Sequence, residues 1–148
     1  MRIPSSNQRK TRLTVDAVLA QHNLPVQVDA CFDELQRLSW VADYATQVER
    51  VFVEPTQAAG EWEPAAMALW RVQIAVADLC HQFAGDTLAL VGHGLTLSLY
   101  RAHLLGQTHV RFRDWQQLSF AAVALVDPLA AQLLQDFQPI AGQIARAG

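Results

Sequence analysis

The chain has 148 residues, of which 51% are hydrophobic and 17% charged, and its net charge at pH 7 is −3. This length predicts a single domain over residues 1–148 with a substantial core. The weak net charge argues against a nucleic-acid surface or a basic membrane patch, and no segment approaches the roughly 20 apolar residues of a membrane span. The N-terminus lacks the apolar run of a signal peptide. Cys31 and Cys80 are isolated, as reduced thiols of a cytosolic protein would be. We therefore expect a cytoplasmic protein that binds neither nucleic acid nor membrane.

The first half of the chain predicts a helix between two extended segments. Ser5, Ser6 and Asn7 offer N-cap chemistry, and an apolar pattern follows them. In chain order, we expect the end of a strand at residues 1–4, a helix to about residue 22, an extended piece at 24–29, a mixed segment at 31–44 and a loop at 45–60.

The second half alternates apolar helical patterns with apolar runs of strand length. Pro64 is suited to a first helical position, and an apolar stripe follows it. We expect a helix at 64–83, a strand at 88–91, a helix from 95 to about 106, a charged aromatic connection at 111–115, a strand at 120–126 and an amphipathic helix at 129–145. This alternation predicts a three-layer α/β/α domain.

A Gly-His-Gly triplet follows the apolar run at 88–91. That run shows no alternation, as expected of a strand covered on both faces. The triplet would place His93 at the carboxyl end of this strand and beside a helix N-terminus, where α/β sheets bind anions. A histidine at such a turn is compatible with a purely structural role as well.

Two further features admit both a functional and a structural interpretation. Arg9 and Lys10 lie in the first turn of a predicted helix, where cations oppose the helix dipole unless an anion is bound; a solvated helix start is the alternative. Glu34 lies in a segment that otherwise looks buried, although a lone carboxylate is commonly at the surface. No histidine pair has a metal-ligand spacing. We expect neither a metal ion nor a cofactor.

Taken in order, these features resemble the histidine phosphatase superfamily, which has the phosphoglycerate mutase-like fold. Residues 5–15 fall in register with the Ser-Ser-Pro-Leu-x-Arg-Ala-x-Gln-Thr-Ala segment of that family. Glu34 and Trp40 have the spacing of the family's Glu and Trp, and residues 88–94 match its apolar strand that ends in Ser-His-Gly. The resemblance covers roughly the whole chain.

The resemblance implies a phosphatase or mutase that acts on phosphate monoesters through a phosphohistidine, with a phosphorylated small molecule or phosphate as its ligand. By position, Glu34 would be the proton donor and His93 the second catalytic, phosphate-binding histidine. Ser5, Lys10 and Gly94 would line the phosphate pocket.

Two departures from the family pattern bear on activity. The Arg-His-Gly triplet that carries the nucleophile in the family occurs nowhere in the sequence, and Lys10 stands where the family has a pocket arginine. Lysine keeps the charge but loses the two-pronged grip on phosphate. We therefore expect an N-terminally incomplete domain without the family's first strand, inactive by itself.

The sequence leaves three alternatives open. Either the true start codon lies upstream, or the protein is a non-catalytic pseudo-phosphatase that binds an anionic ligand or a protein partner. The absent strand would leave residues 88–91 with an open edge, which predicts a homo-oligomer formed through that edge. The third alternative, an α/β-hydrolase nucleophile elbow, puts Gly94 in the nucleophile position, where it cannot attack.

Overall fold

The computed structural model describes residues 1–140, which form a mixed α/β fold, so the predicted fold class is confirmed. Two small sheets are present in this part of the chain. The elements are β1 (Ile3–Ser5), α1 (Arg9–Leu19), β2 (Val26–Val28), a 3-10 turn (Ala30–Phe32), α2 (Tyr44–Val53), α3 (Ala65–Gln82), α4 (Gly94–Leu104), α5 (Phe112–Gln116), β3 (Ala122–Asp127) and β4 (Gln132–Pro139).

Strand β1 lies between β2 and the central segment, which we define as residues 87–92. It pairs in parallel with β2 in the register Ile3↔Val26. On its other side, the N–H of Val91 donates to the Pro4 carbonyl at 2.9 Å, and the N–H of Ser6 donates to the Val91 carbonyl at 3.1 Å. The predicted strand at 88–91 is therefore present as an extended segment that pairs with β1.

Pro4 explains why the central segment forms isolated bridges with β1 rather than a continuous ladder. Residues facing the segment alternate along β1, and Pro4 occupies one of these positions without an N–H to donate. Within residues 1–140, no donor reaches the Ala89 carbonyl, whereas the N–H of Ala89 is bonded to the Arg2 carbonyl at 2.9 Å. The segment is only partly buried, so the expectation of a strand covered on both faces is wrong.

Helix α2 replaces most of the loop predicted at 45–60. The Asp43 carboxylate accepts a hydrogen bond from the N–H of Thr46 at 3.1 Å and caps the helix. Val48, Val51 and Phe52 lie on one face and are almost fully buried. The spacing i, i+3, i+4 is that of an amphipathic helix, and it overrides the weak pattern of the flanking residues.

A β-hairpin replaces the amphipathic helix predicted at 129–145. Strands β3 and β4 pair antiparallel, and Asp127 closes the turn by accepting from the N–H groups of Leu129 and Ala130. Pro139 would cost a hydrogen bond inside a helix but is tolerated at a strand end. Residues 141–145 of the predicted helix lie outside the described residues. Helix α5 likewise forms where a connection was expected at 111–115.

Two buried clusters hold these elements together. The larger joins α2, α3, α4 and the loops between them. The smaller packs Phe32, Val72 and Leu79 together, with Leu88 and Leu90 of the central segment against them. This second cluster fixes the chain around residue 32 relative to the central segment, and the candidate site lies between these two parts.

Candidate functional site

His93 lies where the central segment ends and α4 begins. Its side chain is buried, with 8% of the residue exposed. The ring Nε2 lies 2.9 Å from the Ser6 Oγ, which follows β1. The pairing of β1 with the central segment therefore brings together residues that are 87 positions apart in the sequence.

The partners of Ser6 determine the proton position on His93. The Ser6 hydroxyl donates to the Asp33 Oδ1 at 2.5 Å, and its oxygen accepts the N–H of Gln8 at 3.1 Å. Since a serine has one hydroxyl proton, the 2.9 Å contact requires His93 Nε2 to be the donor. The neutral ring then carries its proton on Nε2, and Nδ1 makes no hydrogen bond within residues 1–140.

Glu34 is buried against the first turn of α4. One carboxylate oxygen accepts from the N–H groups of Leu35 at 3.1 Å and Thr96 at 3.2 Å, and the other accepts from the N–H of Leu95 at 3.3 Å. The carboxylate therefore occupies much of the helix N-terminus that was expected to hold a phosphate. The Gly94 N–H, which has no acceptor in the described part of the chain, is left free.

Burial shifts the two titratable groups of the site in opposite directions. Desolvation raises the pKa of Glu34, and its three backbone hydrogen bonds oppose this rise. Desolvation lowers the pKa of His93; Asp33 counteracts the effect, and the charge of Lys10 adds to it. Near neutral pH this arrangement favours a neutral imidazole beside a carboxyl group that holds its proton more tightly than usual.

The remaining predicted site residues lie at different depths. Lys10 is exposed on the first turn of α1, close enough for its charge to act on His93. Ser5 is almost fully buried, and its hydroxyl donates to the Ser6 carbonyl at 3.1 Å. Ser6, rather than Ser5, contacts His93.

Arg71 is a positioning residue that the sequence pattern did not single out. From α3, its guanidinium donates to the carbonyls of Cys31, Asp33 and Glu34 at 2.6, 2.8 and 3.1 Å. It also forms a two-pronged pair with the Glu63 carboxylate at 2.9 and 3.0 Å. These bonds fix the backbone that carries both acidic residues of the site. An arginine within an otherwise apolar stripe was the available signal.

Asp33 is the second residue that was missed. It accepts from the Ser6 hydroxyl and from the Asn7 N–H at 2.8 Å, so it ties the start of α1 to the chain around Glu34. Its position directly before Glu34 made it look like one more exposed carboxylate.

No group of three or more His, Cys, Asp or Glu side chains within residues 1–140 is arranged to hold a metal ion. Over the same range, the helices are too short or too polar to cross a bilayer.

Comparison with solved structures finds phosphatases and hydrolases with the same fold. Mycobacterial glucosyl-3-phosphoglycerate phosphatase, in complex with VO3, superposes with a TM-score of 0.66 at 20% identity, over 94% of this chain and 76% of that one. A putative alpha-ribazole-5'-P phosphatase from Escherichia coli superposes with a TM-score of 0.62 at 16% identity, over 93% of this chain and 72% of that one.

Mycobacterial hydrolase 1 superposes with a TM-score of 0.61 at 22% identity, over 80% of this chain. The match covers 62% of the length of that hydrolase. Comparison with curated protein sequences finds no significant match. The family model of the histidine phosphatase superfamily (branch 1), in contrast, matches residues 1–132. This chain therefore belongs to the histidine phosphatase superfamily.

Proposed function

We propose that this chain binds a phosphate monoester, or phosphate itself, at His93, with Lys10 and the Gly94 N–H as further ligands and the Ser5–Ser6 turn as the wall of the pocket. Glu34 is the proton donor to the leaving oxygen, and His93 holds the phosphoryl group. The 148-residue chain alone does not turn its ligand over.

The observation that carries this proposal is the free Nδ1 of a buried histidine next to a free backbone N–H and near a lysine. Nε2 of His93 is used by Ser6, so Nδ1 is the nitrogen available to a ligand. Protonated imidazole, ammonium and backbone N–H are the groups that hold phosphate in proteins. Glu34 supports the acid role because its burial raises the pKa of the carboxyl group, as general acids require.

The chemistry implied by the family explains the lack of turnover. A histidine nitrogen attacks phosphorus, the ester P–O bond breaks, and the leaving oxygen takes the proton of the acid; water then cleaves the phosphohistidine. None of the five histidines in this sequence lies in an Arg-His-Gly triplet. With His93 used for binding, no nucleophile is assigned.

The test combines an activity assay with a binding assay on the purified chain. We expect negligible hydrolysis of an aryl phosphate, together with a rise in Tm on addition of phosphate or vanadate. The rise should shrink for His93→Ala and Lys10→Ala. Arg12→Ala is the matched control, because residue 12 lies about 200° around the helix from Lys10 and should keep the full rise.

Two results would overturn these roles. Turnover that is abolished by His93→Ala would make His93 the nucleophile. An unchanged rise in Tm for the same variant would remove His93 from the pocket.

The second candidate function is a pseudo-phosphatase that binds an anionic ligand or a protein partner. The absence of the Arg-His-Gly triplet and the lysine at position 10 favour it. The upstream reading frame separates the two candidates: an in-frame strand with Arg-His-Gly supports an active phosphatase or mutase, and a frame without one supports the pseudo-phosphatase.

The open edge of the central segment favours a homo-oligomer. Within residues 1–140, the N–H groups of Leu88 and Leu90 have no acceptor, and both side chains are only partly buried. Unpaired edges of this kind pair with other strands. We expect the wild-type chain to be a dimer in light scattering. A monomeric wild-type chain would refute this proposal.

A further inference from the structure

An open cavity lies beside the chain that follows Glu34, and the proposed phosphate pocket does not use it. It has a volume of about 340 Å³, within the range of small-molecule sites. Its lining combines three aromatic rings, two aliphatic side chains, one serine and one arginine: Trp40, Tyr44, Trp62, Leu38, Val41, Ser39 and Arg37.

Arg37 is the positively charged residue among those that line this cavity. Its guanidinium lies 5.4 Å from the ring centroid of Tyr44 and 5.2 Å from that of Trp62. Backbone pairing holds it there, because Arg37 bridges Trp62 and the Glu63 N–H donates to the Gln36 carbonyl at 2.9 Å. Within residues 1–140 Arg37 forms no ion pair. Its charge is therefore not neutralised by a carboxylate and can attract an anion.

Trp62 is the buried wall of the cavity. The residue is 2% exposed, and its ring centroid lies 5.5 Å from that of Tyr44. A fixed aromatic wall of this kind offers a flat apolar surface to a ring.

The cavity is close to the phosphate pocket. A Cβ at Gly94 would lie 3.6 Å from the Trp115 Nε1, and the Trp115 ring centroid is 6.2 Å from that of Tyr44, which lines the cavity. Two residues separate Arg37 from Glu34 in the sequence. A ligand with its phosphoryl group at His93 can thus extend past Glu34 towards Arg37.

We propose that this cavity is a subsite for the ester arm of the phosphate monoester, and that the arm combines an aromatic ring with a carboxylate. The inference rests on the proposed phosphate-binding function. The ring packs against the tryptophan and tyrosine walls, while the carboxylate accepts two hydrogen bonds from Arg37.

Calorimetry on the full 148-residue chain tests the proposal with three probes: phosphate, phenyl phosphate and 4-carboxyphenyl phosphate. We expect the carboxylated probe to bind about tenfold more tightly than phenyl phosphate, the gain of one charge-assisted contact. Arg37→Met should abolish this difference between the two esters. Arg50→Met, which removes an exposed arginine of α2, should preserve the difference. Equal affinities in the wild type, or a difference that survives Arg37→Met, would overturn the proposal.

A second probe separates failure of the subsite from failure of the phosphate pocket. Benzoate carries no phosphate. We expect it to shift the NMR signal of the Trp62 indole N–H in the wild type but not in Arg37→Met. The Trp62→Phe variant identifies that signal. The exposed Trp70 of α3 is the reference signal. If phosphate does not bind but benzoate shifts Trp62, the proposed function fails and the subsite stands. No shift with benzoate overturns the subsite.

Discussion

At the scale of single residues, the Ser6 hydroxyl links the two sides of the site. It donates to Asp33 and accepts from His93 Nε2, so it orients the imidazole and selects its tautomer. A histidine whose second nitrogen is engaged in this way presents the other nitrogen to a ligand. The site therefore depends on a hydroxyl group that orients the imidazole.

We expect Ser6→Ala to weaken phosphate binding and to lower the free energy of unfolding by about 1–2 kcal/mol, since a buried hydrogen bond is lost and its partners are left unpaired. Nitrogen NMR of the His93 ring should show the Nε2–H tautomer in the wild type and a mixture in the variant. Ser98→Ala is the matched control, because it removes a buried hydroxyl of α4 that is not assigned to the pocket. An equal loss of binding in both variants would contradict the role of Ser6.

Glu34 gives a prediction for pH-dependent stability. Its pKa is raised in the folded state by burial, so the folded state holds this proton more tightly than the unfolded state. The resulting stability is fully present below the unfolded pKa, which is near 4.5, and is lost as the pH rises through the folded pKa.

The difference in unfolding free energy between the wild type and Glu34→Gln should therefore decrease as the pH rises, because the variant has no proton to lose at this position. Urea denaturation at a series of pH values measures it. A difference that grows with pH would mean that the three backbone donors outweigh burial. In that case Glu34 would be a fixed anion and not a proton donor.

The sequence predicted Glu34, His93 and Lys10 as site residues but not the contact between Ser6 and His93. Motif register placed the serine pair at the site. Successive residues of an extended segment point to opposite sides, however, and the pairing partner of β1 decides which side faces His93. His93 lies 87 positions away from Ser6, so this register was not available from the local pattern.

At the scale of elements, helix α3 supports the site through Arg71. Its side chain is 14% exposed, and that of its partner Glu63 is 13% exposed. Breaking a buried pair leaves one charge without a partner and is strongly destabilising. The three carbonyls held by Arg71 belong to the loop that carries Asp33 and Glu34.

We expect Arg71→Met to lower the free energy of unfolding by about 3 kcal/mol and to weaken phosphate binding, because the loop would lose its anchor. Arg50→Met is the control: that pair with Glu54 is exposed and its atoms are 3.8 Å apart, so its loss should cost less than about 1 kcal/mol. Denaturant titration of both variants is the measurement. Similar losses of unfolding free energy in the two variants would refute the role of Arg71 as the anchor of this loop.

Element prediction succeeded where a long apolar pattern followed a proline that starts a helix, and it failed where two patterns competed. The helix predicted at 64–83 is confirmed as Ala65–Gln82. The apolar residues after Asp127 fit a helix or a strand equally well by spacing, and pairing with β3 decided for the hairpin. Pro139 was the local signal against a helix.

At the scale of the whole molecule, the site lies between the two buried clusters. The central segment and the 3-10 turn are held by one buried cluster, while α2 and the start of α4 belong to the other. The order of the motifs along the chain predicted the family, which the match over residues 1–132 confirms. The resemblance could not predict which donors of the pocket stay free, because this depends on packing.

Above all, we propose that His93 binds phosphate non-covalently through Nδ1. Nitrogen NMR of the five histidine rings during a phosphate titration at pH 7 tests it most directly. Burial lowers the pKa of His93, so its ring is neutral without ligand, and a bound phosphate should raise this pKa and protonate Nδ1. We expect the nitrogen signals of His93, and of no other histidine, to move towards the values of imidazolium. A His93 signal that does not change, or a different histidine that responds, would contradict it.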